Sequence, residues 1–418
     1  MKRYKALGTG VFLVLVFLCW LSSQIMAAEE VVFWGPYSGP DGKLISKMVN
    51  KFNEQHPEVR VKFVIVPWDQ YYDKLTVSVA AGNPPNCCIM HGHFLPQYAC
   101  QNVLTPLDEL TEQVGIKKED YIPVLWEAGI YQGKRYGLPL DCFPRFLFYN
   151  KRLFREAGLN PNLPETEMLQ WAVIKPWLEK LTQDKDGDGK IDQWGFGWEN
   201  HRRSYITILW QMGGRLLSRD LKKAVFDSPE GIAALQLMVD TIYKDKIAVE
   251  IGVDENDMLR LGKVAVTSNQ ITNLASFIGI KGLELGSSPF PLFGKEKAIF
   301  GVGHNLIIPK QRMSQKKKEA TMVWIKWLME NTFEYAKVGQ VPANLKVIQD
   351  PRFKEELPHQ YVAASQWQYF RIPPRSPHIR EVFFSALVPG IEKALVRELS
   401  PSEALKEAAN KANRILKE

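Results

Sequence analysis

The chain has 418 residues and a formal net charge of +7, and 45% of its residues are hydrophobic. This length exceeds one ordinary hydrophobic core and predicts two domains. The mild charge argues against a nucleic-acid partner, because the single tight basic run, Lys316–Lys318, leads directly into an apolar helical pattern and is interpreted as the first turn of a helix.

Residues 1–28 have the order of a secretory signal peptide. Basic residues within the first five positions precede an uncharged run from Val11 to Leu21, and a small-residue stretch ends at Ala28. The strongly apolar run has about half of the roughly 20 residues that a membrane-spanning helix needs. We therefore expect cleavage near Ala28, a mature net charge of +4, and export to the periplasm or the outer face of the cytoplasmic membrane. An uncleaved anchor helix and lipid attachment at Cys19 are the alternatives.

The mature part contains four cysteines, Cys87, Cys88, Cys100 and Cys142. An even number in an exported protein permits disulfides. Because adjacent cysteines rarely pair with each other, a bond from Cys87 or Cys88 to Cys100 is the favoured arrangement, and buried free thiols are the alternative. The spacing does not match a zinc site.

The first hundred residues of the mature part alternate between strand and helix patterns. The predicted elements are a strand at 31–34, a helix at 44–52, a strand at 59–66, a helix at 69–81 and a strand at 87–90. This alternation predicts a parallel α/β sheet. Ligands bind such sheets beyond the carboxyl ends of the strands, so we expect the loops after Trp34 and Met90 to share one face.

The rest of the chain continues with mixed elements. The predicted elements are strands at 134–140 and 146–150, helices at 167–181, 206–212 and 231–243, strands at 264–267 and 298–302, and a closing helix that begins at Ser400. Pro401 and Glu403 complete the start of this last helix as a capping box. We interpret the strands at 134–140 and 146–150 as a pair, with a domain crossing between Cys142 and Arg145.

Four segments carry a resemblance to a known family. They are Val32–Gly35, Pro57–Val61, Gly133–Pro139 and Phe148–Phe154, and weaker matches follow at Ala320–Leu328 and Ser402–Leu405. In this order they resemble the family 1 extracellular solute-binding proteins of ABC importers, the group that includes maltose- and glycerol-phosphate-binding proteins. The resemblance spans nearly the whole mature chain. One departure is Asn86, since the family often has Asp after this proline.

The resemblance implies an α/β, two-lobed periplasmic-binding-protein fold of the type II-like class, with a multi-stranded hinge and a ligand cleft between the lobes. Lobe 1 would comprise 29–142 plus 303–343, and lobe 2 would comprise 143–302 plus 344–418. The chain would cross near 142–145, 296–303 and 341–346. The resemblance further implies a non-enzymatic monomer whose cleft closes on a ligand for delivery to an ABC importer permease, with ATP hydrolysed by partner subunits.

Candidate ligand contacts are aromatic and polar residues near predicted strand ends and crossings. Sugar rings stack on aromatic planes, and their hydroxyls bind carboxylates, amides and guanidinium groups. The candidates are Trp34, Tyr37, Ser38, His91, His93, Asp141, Arg145, Trp198, Glu199, Trp210, Asn269, His304, Trp367 and Tyr369. Core packing is the alternative for each aromatic residue, and a structural salt bridge is the alternative for Asp141 and Arg145.

The segment from Asp184 to Asp192 follows the calcium-loop pattern, with oxygen-bearing residues at loop positions 1, 3 and 5 and glycine at position 6. The expected ligands are Asp184, Asp186, Asp188, the carbonyl of Lys190, and Asp192. Position 12 is Gly195, so the bidentate glutamate is missing and the affinity should be weak. The alternative is an acidic turn that ends the preceding helix. Apart from this structural calcium, we expect no cofactor.

The function predicted from these features is the capture of a mono- or oligosaccharide for import. A different cargo, such as glycerol phosphate, a polyamine or a metal ion, is the alternative. The alternating His91 and His93 could share a metal ion, but the sequence places no carboxylate beside them. A secreted glycoside-active enzyme is the remaining rival, since such enzymes use two carboxyl groups about 5 to 10 Å apart.

Overall fold

The structure is a computed structural model that describes residues 28–37 and 39–417. The strands are β1 (Glu29–Gly35), β2 (Val59–Ile65), β3 (Cys87–His91), β4 (Ile130–Tyr131), β5 (Lys134–Arg135), β6 (Gly137–Pro139), β7 (Asp141–Cys142), β8 (Arg145–Asn150), β9 (Trp194–Gly197), β10 (Val264–Gln270), β11 (Leu285–Pro289), β12 (Ile299–Phe300), β13 (His304–Ile307), β14 (Val341–Pro342) and β15 (Phe370–Arg371).

The α-helices cover both sheets and make up most of the C-terminal part. They are α1 (Gly39–Gln55), α2 (Trp68–Ala80), α3 (Leu95–Cys100), α4 (Asp108–Gln113), α5 (Pro123–Ala128), α6 (Lys151–Glu156), α7 (Trp171–Leu181), α8 (His201–Gln211), α9 (Pro229–Tyr243), α10 (Glu255–Arg260), α11 (Gln315–Glu330), α12 (Thr332–Ala336), α13 (Leu345–Ile348), α14 (Pro351–Glu356), α15 (Pro358–Ala364), α16 (Ile379–Glu381), α17 (Val388–Leu395) and α18 (Pro401–Ile415). A π-helical turn, Val382–Leu387, joins α16 to α17.

The first sheet has the strand order β2-β1-β3-β13-β6. Its first three strands are parallel, as the strand and helix alternation predicts, whereas β13 is antiparallel to both β3 and β6. In β1 the side chains of Val31 and Phe33 are buried while Glu30 is exposed, which is the period of two expected of a strand with one face in the core. This sheet forms lobe 1.

The second sheet has the strand order β11-β8-β10-β9 and forms lobe 2. All six residues of β8 are buried, because this central strand is covered on both faces. The interpretation of 134–140 and 146–150 as a strand pair is wrong. Strand β6 pairs with β13 in the first sheet and β8 pairs with β10 and β11 in the second, since the chain passes from one lobe to the other between them.

Two short strand pairs accompany the passage between the lobes. Strand β7 pairs antiparallel with β14, with Asp141 opposite Pro342, and β12 pairs parallel with β15. Gly303 lies between β12 and β13, and a Cβ atom at this position would lie 1.8 Å from the carbonyl oxygen of Asp141. Only glycine therefore lets these two crossing segments approach each other so closely. The lobe boundaries given above stay a prediction.

All four cysteines of the described residues are free thiols. The expected bond to Cys100 is therefore wrong: Cys87 and Cys88 are fully buried in β3, whereas Cys100 is exposed at the end of α3. The capping box at Ser400 is confirmed, with Ser400 and Glu403 bonded reciprocally. The expected signal peptide lies outside the described residues apart from Ala28, and no helix among the described residues is long and apolar enough to span a membrane.

Candidate functional site

A cavity of about 580 Å³ lies between the two lobes. This volume falls within the range of about 300 to 1,000 Å³ that is usual for small-molecule sites. Lobe 1 lines the cavity with aromatic and imidazole rings, and lobe 2 lines it with guanidinium, amide and phenyl groups. This cavity is called the cleft below.

The lobe 1 wall is built around Trp68, the first residue of α2. Its ring lies 4.4 Å from the ring of His91 and 5.5 Å from that of His304, and it is nearly parallel to the latter, with an angle of 22°. Phe143 lies 4.9 Å from His304 on another side. With 38% of its surface exposed, Trp68 offers an aromatic face to a ligand.

A chain of hydrogen bonds from buried side chains fixes the position of His304. The carboxylate of Asp141 accepts bonds from the backbone nitrogen and from Nδ1 of His304, each at 2.9 Å. The hydroxyl of Tyr335 donates to the same carboxylate at 2.5 Å, and the hydroxyl of Tyr37 lies 2.7 Å from that of Tyr335. Because burial raises the pKa of both tyrosines well above the usual range, their hydroxyls stay protonated as donors.

His91 and His93 stand side by side in the cleft, with ring centroids 5.6 Å apart. The hydroxyl of Tyr72 accepts from the backbone N–H of His91 and lies 2.7 Å from its Nδ1, which leaves Nε2 for a ligand. Burial lowers the pKa of both histidines well below the usual range, so they are neutral at pH 7. Nδ1 of His93 is buried without a partner among the described residues.

The lobe 2 wall begins at the first turn of α8. Arg203 donates to Oε1 of Gln270 at 2.5 Å, and its guanidinium carbon lies 5.0 Å from the ring of Phe143 and 5.5 Å from that of Phe300. Arg202 lies beside it and also lines the cleft. This wall therefore combines positive charge with flat aromatic surface.

Arg145 and Glu199 form an ion pair inside lobe 2 and do not line the cleft. Arg145 is fully buried, and its Nη1 lies 3.0 Å from Oε2 of Glu199, while Nη2 donates to Ser268 at 2.7 Å. Asp141 bonds to His304 instead of Arg145. The placement of Arg145 thus fits a structural salt bridge rather than a ligand contact. Asp141 contacts His304, which lines the cleft.

The other aromatic and amide candidates lie away from the cleft wall. Trp198 is fully buried and donates to Thr241 at 2.9 Å, and Trp210 stacks at 5.8 Å on the face of Phe300. Asn269 is buried and bonds to neighbouring side chains of lobe 2. Trp34, Trp367 and Tyr369 are half-buried against the core. Ser38 lies outside the described residues.

Sequence reasoning missed Trp68, Arg203 and Gln270. Trp68 directly follows Pro67 at the carboxyl end of β2, so the strand-end argument applied to Trp34 and Met90 would also have found it. For Gln270, the residue after the chosen Asn269, the alternation of a strand decides which of the two faces the cleft. No local pattern distinguishes Arg203 from an ordinary helix arginine.

The acidic loop brings three carboxylates together on the surface. Ligand atoms of Asp184, Asp186 and Asp188 all lie within 4.8 Å of one another, the sole such trio of metal-binding side chains in the described part of the chain. Both oxygens of Asp184 accept bonds from Gly187 and Gly189, which lowers its pKa. Asp192 accepts from the backbone of Lys185, and Lys190 pairs with Asp188. Calcium binding here stays a prediction.

A second cavity, of about 650 Å³, lies behind Trp210 and is lined mainly by residues 213–221 and 370–374. Among its charged residues, Arg371 and Glu296 pair with each other at 2.7 Å. It lacks the histidines and exposed tryptophan of the cleft. The smaller cleft between the lobes is therefore the better candidate for ligand binding.

Comparison with known proteins agrees with the fold. A family model described as bacterial extracellular solute-binding protein matches residues 36–332. A binding protein of Brucella abortus is 25% identical over 424 aligned residues, which cover 95% of each chain.

Two solved structures share the fold. An ABC substrate-binding protein of Listeria monocytogenes in complex with cycloalternan has a TM-score of 0.79 and 23% identity, with 93% of this chain and 99% of that chain covered. UgpB from Mycobacterium tuberculosis in complex with glycerophosphocholine has a TM-score of 0.80 and 20% identity, with 93% and 98% covered. The resemblance and the two-lobed fold expected from the sequence are confirmed, and the chain belongs to the family of bacterial extracellular solute-binding proteins.

Proposed function

We propose that the chain captures a carbohydrate between its lobes, outside the cytoplasm and as a monomer, and delivers it to the membrane permease of an ABC importer. The cleft carries this proposal, because aromatic faces and hydrogen-bonding groups from both lobes surround one cavity. The C–H faces of a sugar ring fit Trp68, and its hydroxyls fit the free nitrogens of His91 and His93. Membership of a solute-binding family supports capture rather than conversion.

The link between His304 and Asp141 supports closure of the lobes on the ligand. His304 lines the cleft, and Asp141 lies on β7, where the chain crosses between the lobes. A ligand that contacts His304 therefore acts on the crossing strand through one carboxylate. A direct contact between the cleft wall and a crossing strand is compatible with hinge closure around a ligand.

Glycerol phosphate or one of its diesters is the second candidate ligand. The arginines of the lobe 2 wall favour it, since a guanidinium group binds phosphate oxygens well. The same positive charge argues against a polyamine. A metal cargo is disfavoured too, because the described residues of the cleft include no trio of metal-binding side chains.

The test is a thermal-shift and calorimetric screen of the mature chain against sugars, glycerol phosphates, polyamines and metal ions. We expect a carbohydrate or polyol to bind and to be recovered chemically unchanged. Replacing Trp68 with Ala should weaken binding at least tenfold, whereas the matched Trp34→Ala variant should stay within twofold. Stabilisation by metal ions alone, or conversion of a glycoside, would overturn the proposal.

A further inference from the structure

The charge of the cleft is not balanced by the protein. Among the described residues that line it, three are arginines, Arg202, Arg203 and Arg380, and one is a carboxylic acid, Asp41. None of these three arginines forms an ion pair with a described carboxylate, although arginines elsewhere in the chain do. Burial and the charge of Asp141 also raise the pKa of Asp41 to about 6, which removes part of its negative charge below that pH.

Arg203 has more donors than the protein uses. A guanidinium group has five N–H donors, and Oε1 of Gln270 accepts from Nη1. Glu199, the neighbouring carboxylate, is already bonded to Arg145. Burial, together with the positive charges of Arg145 and Arg202, lowers the pKa of Arg203 to about 9, so the group is still charged at pH 7 but lacks an anionic partner.

The local sequence places cations where a helix disfavours them. Arg202 and Arg203 occupy the first turn of the 11-residue helix α8. The N-terminal end of a helix carries partial positive charge and favours anions. The cap residue, Asn200, has a left-handed backbone with a φ of 50° and makes no side-chain bond to the helix backbone. A local arrangement that opposes stability in this way is expected at functional sites, and a bound anion would resolve the conflict.

His93 supplies an independent indication of a ligand at the same place. Its side chain is 8% exposed and lines the cleft, and its Nδ1 has no partner among the described residues. Arg203 lines the same cleft as this imidazole, so one bound ligand can contact both groups. A buried polar atom without a partner is costly unless a ligand satisfies it.

We propose that the ligand carries a carboxylate or phosphate group, and that Arg203 binds this group at the lobe 2 wall while His93 and Trp68 hold the polyhydroxylated part. This inference rests on the proposed function and narrows it to anionic sugars and sugar or polyol phosphates. Asp41 disfavours a second anionic group at the lobe 1 end of the cleft. A ligand with a single anionic group at one end is therefore favoured.

Calorimetry with matched ligands tests the inference. The neutral set is galactose, glucose and glycerol, and the anionic set is galacturonate, glucuronate and sn-glycerol 3-phosphate. We expect an anionic ligand to bind at least tenfold more tightly than its neutral partner. The carboxylate and phosphate members distinguish the two sources of charge.

Substitution of Arg203 provides the second arm. Arg203→Gln should lose at least tenfold in affinity for the anionic ligand and less than twofold for its neutral partner, while Arg203→Lys falls between them. Arg219→Gln removes an exposed arginine outside the cleft and should change neither. Inorganic phosphate, used as a probe without sugar, should raise the melting temperature of the parent chain more than that of Arg203→Gln at equal ionic strength.

The outcomes separate the two proposals. If neutral ligands bind as tightly as anionic ones, or if Arg203→Gln has no effect on a folded protein, the inference is overturned and the proposed function stands. If no carbohydrate or polyol of either charge binds, the proposed function fails and the inference fails with it. Melting curves of each variant show whether it is folded.

Discussion

Asp141 and His304 join the wall of the cleft to the strand at which the chain crosses between lobes. The carboxylate of Asp141 accepts from both the backbone and the ring of His304, at 2.9 Å each. Asp141 is fully buried on β7, whereas the ring of His304 lines the cleft. A change in ligand contact at His304 therefore reaches the crossing strand without any intermediate residue.

Replacing Asp141 with Asn should weaken both stability and binding. The amide has one acceptor oxygen where the carboxylate has two, and its NH2 group would face the donors of His304 or Tyr335. We expect the free energy of unfolding to fall by about 2 to 3 kcal/mol, because buried polar groups lose their partners. Ligand affinity should fall at least tenfold, because the ring of His304 is no longer held. Urea unfolding and calorimetry measure the two effects.

Tyr37→Phe is the matched control for this prediction. It removes only the outermost hydroxyl of the chain that runs through Tyr335 to Asp141. The expected loss is about 1 kcal/mol. Equal losses in Tyr37→Phe and Asp141→Asn would contradict the central role of the carboxylate.

Much of the fold could be predicted from local patterns. The strand expected at 87–90 is β3 at Cys87–His91, and the helix expected at 69–81 is α2 at Trp68–Ala80. The start of α18 at Ser400 could be predicted because the two residues of its capping box, Ser400 and Glu403, lie three positions apart in the sequence. Such features depend on contacts between residues a few positions apart, which a single sequence displays directly.

Strand partners and the charge balance of the cleft could not be predicted in the same way. Strand β6 pairs with β13, which lies more than 160 residues further along the chain. No local sequence pattern predicts that contact. The importance of Arg203 depends on Arg145 of the distant strand β8, because Arg145 pairs with the neighbouring Glu199 and leaves Arg203 without a carboxylate. The candidates Tyr37, His91, His93 and His304 do converge on the cleft, whereas Trp198 and Arg145 are buried beneath it, because the same residue types serve both core and site.

Glu255 predicts a specific dependence of stability on pH. Burial, with the nearby charges of Glu199 and Asp254, raises the pKa of Glu255 from 4.5 to about 7. The folded state therefore holds the proton more tightly than the unfolded state. The resulting stabilisation is complete below about pH 4.5 and is lost as the pH rises through about 7.

The Glu255→Gln variant should remove this dependence, because its side chain stays neutral. It should be more stable than the parent at pH 8 by about 1 to 2 kcal/mol, a figure reduced because the group is partly exposed. Melting temperatures measured between pH 4 and pH 8 provide the check. The two proteins should agree near pH 4, which is the internal control, and a constant difference across this range would contradict the assignment.

The acidic loop should bind calcium weakly. Asp184, Asp186 and Asp188 converge, but position 12 of the loop is Gly195, where a Cβ atom would lie 2.2 Å from the carbonyl oxygen of Leu178. No carboxylate side chain fits there, so we expect a dissociation constant of about 0.1 to 1 mM. Calcium should raise the melting temperature of the parent and not that of Asp184→Asn, while ligand affinity is unchanged in both. An equal response of the two proteins would contradict a site in this loop.

Gly303 should tolerate no side chain. A Cβ atom there would lie 1.8 Å from the carbonyl oxygen of Asp141 and 3.0 Å from Cα of Cys142, and both are backbone atoms that cannot move without displacing β7. Gly303→Ala should therefore lower the free energy of unfolding by about 3 kcal/mol or more and weaken ligand binding with it.

At Gly197 the closest atom is Cγ of the Glu255 side chain, at 3.1 Å, which can shift. The matched Gly197→Ala variant should lose less than about 1 kcal/mol, since overpacking there is relieved by a side-chain movement. Parallel urea titrations of the two variants decide the matter, and a Gly303→Ala protein with parental stability and affinity would show that close approach at this crossing is not required.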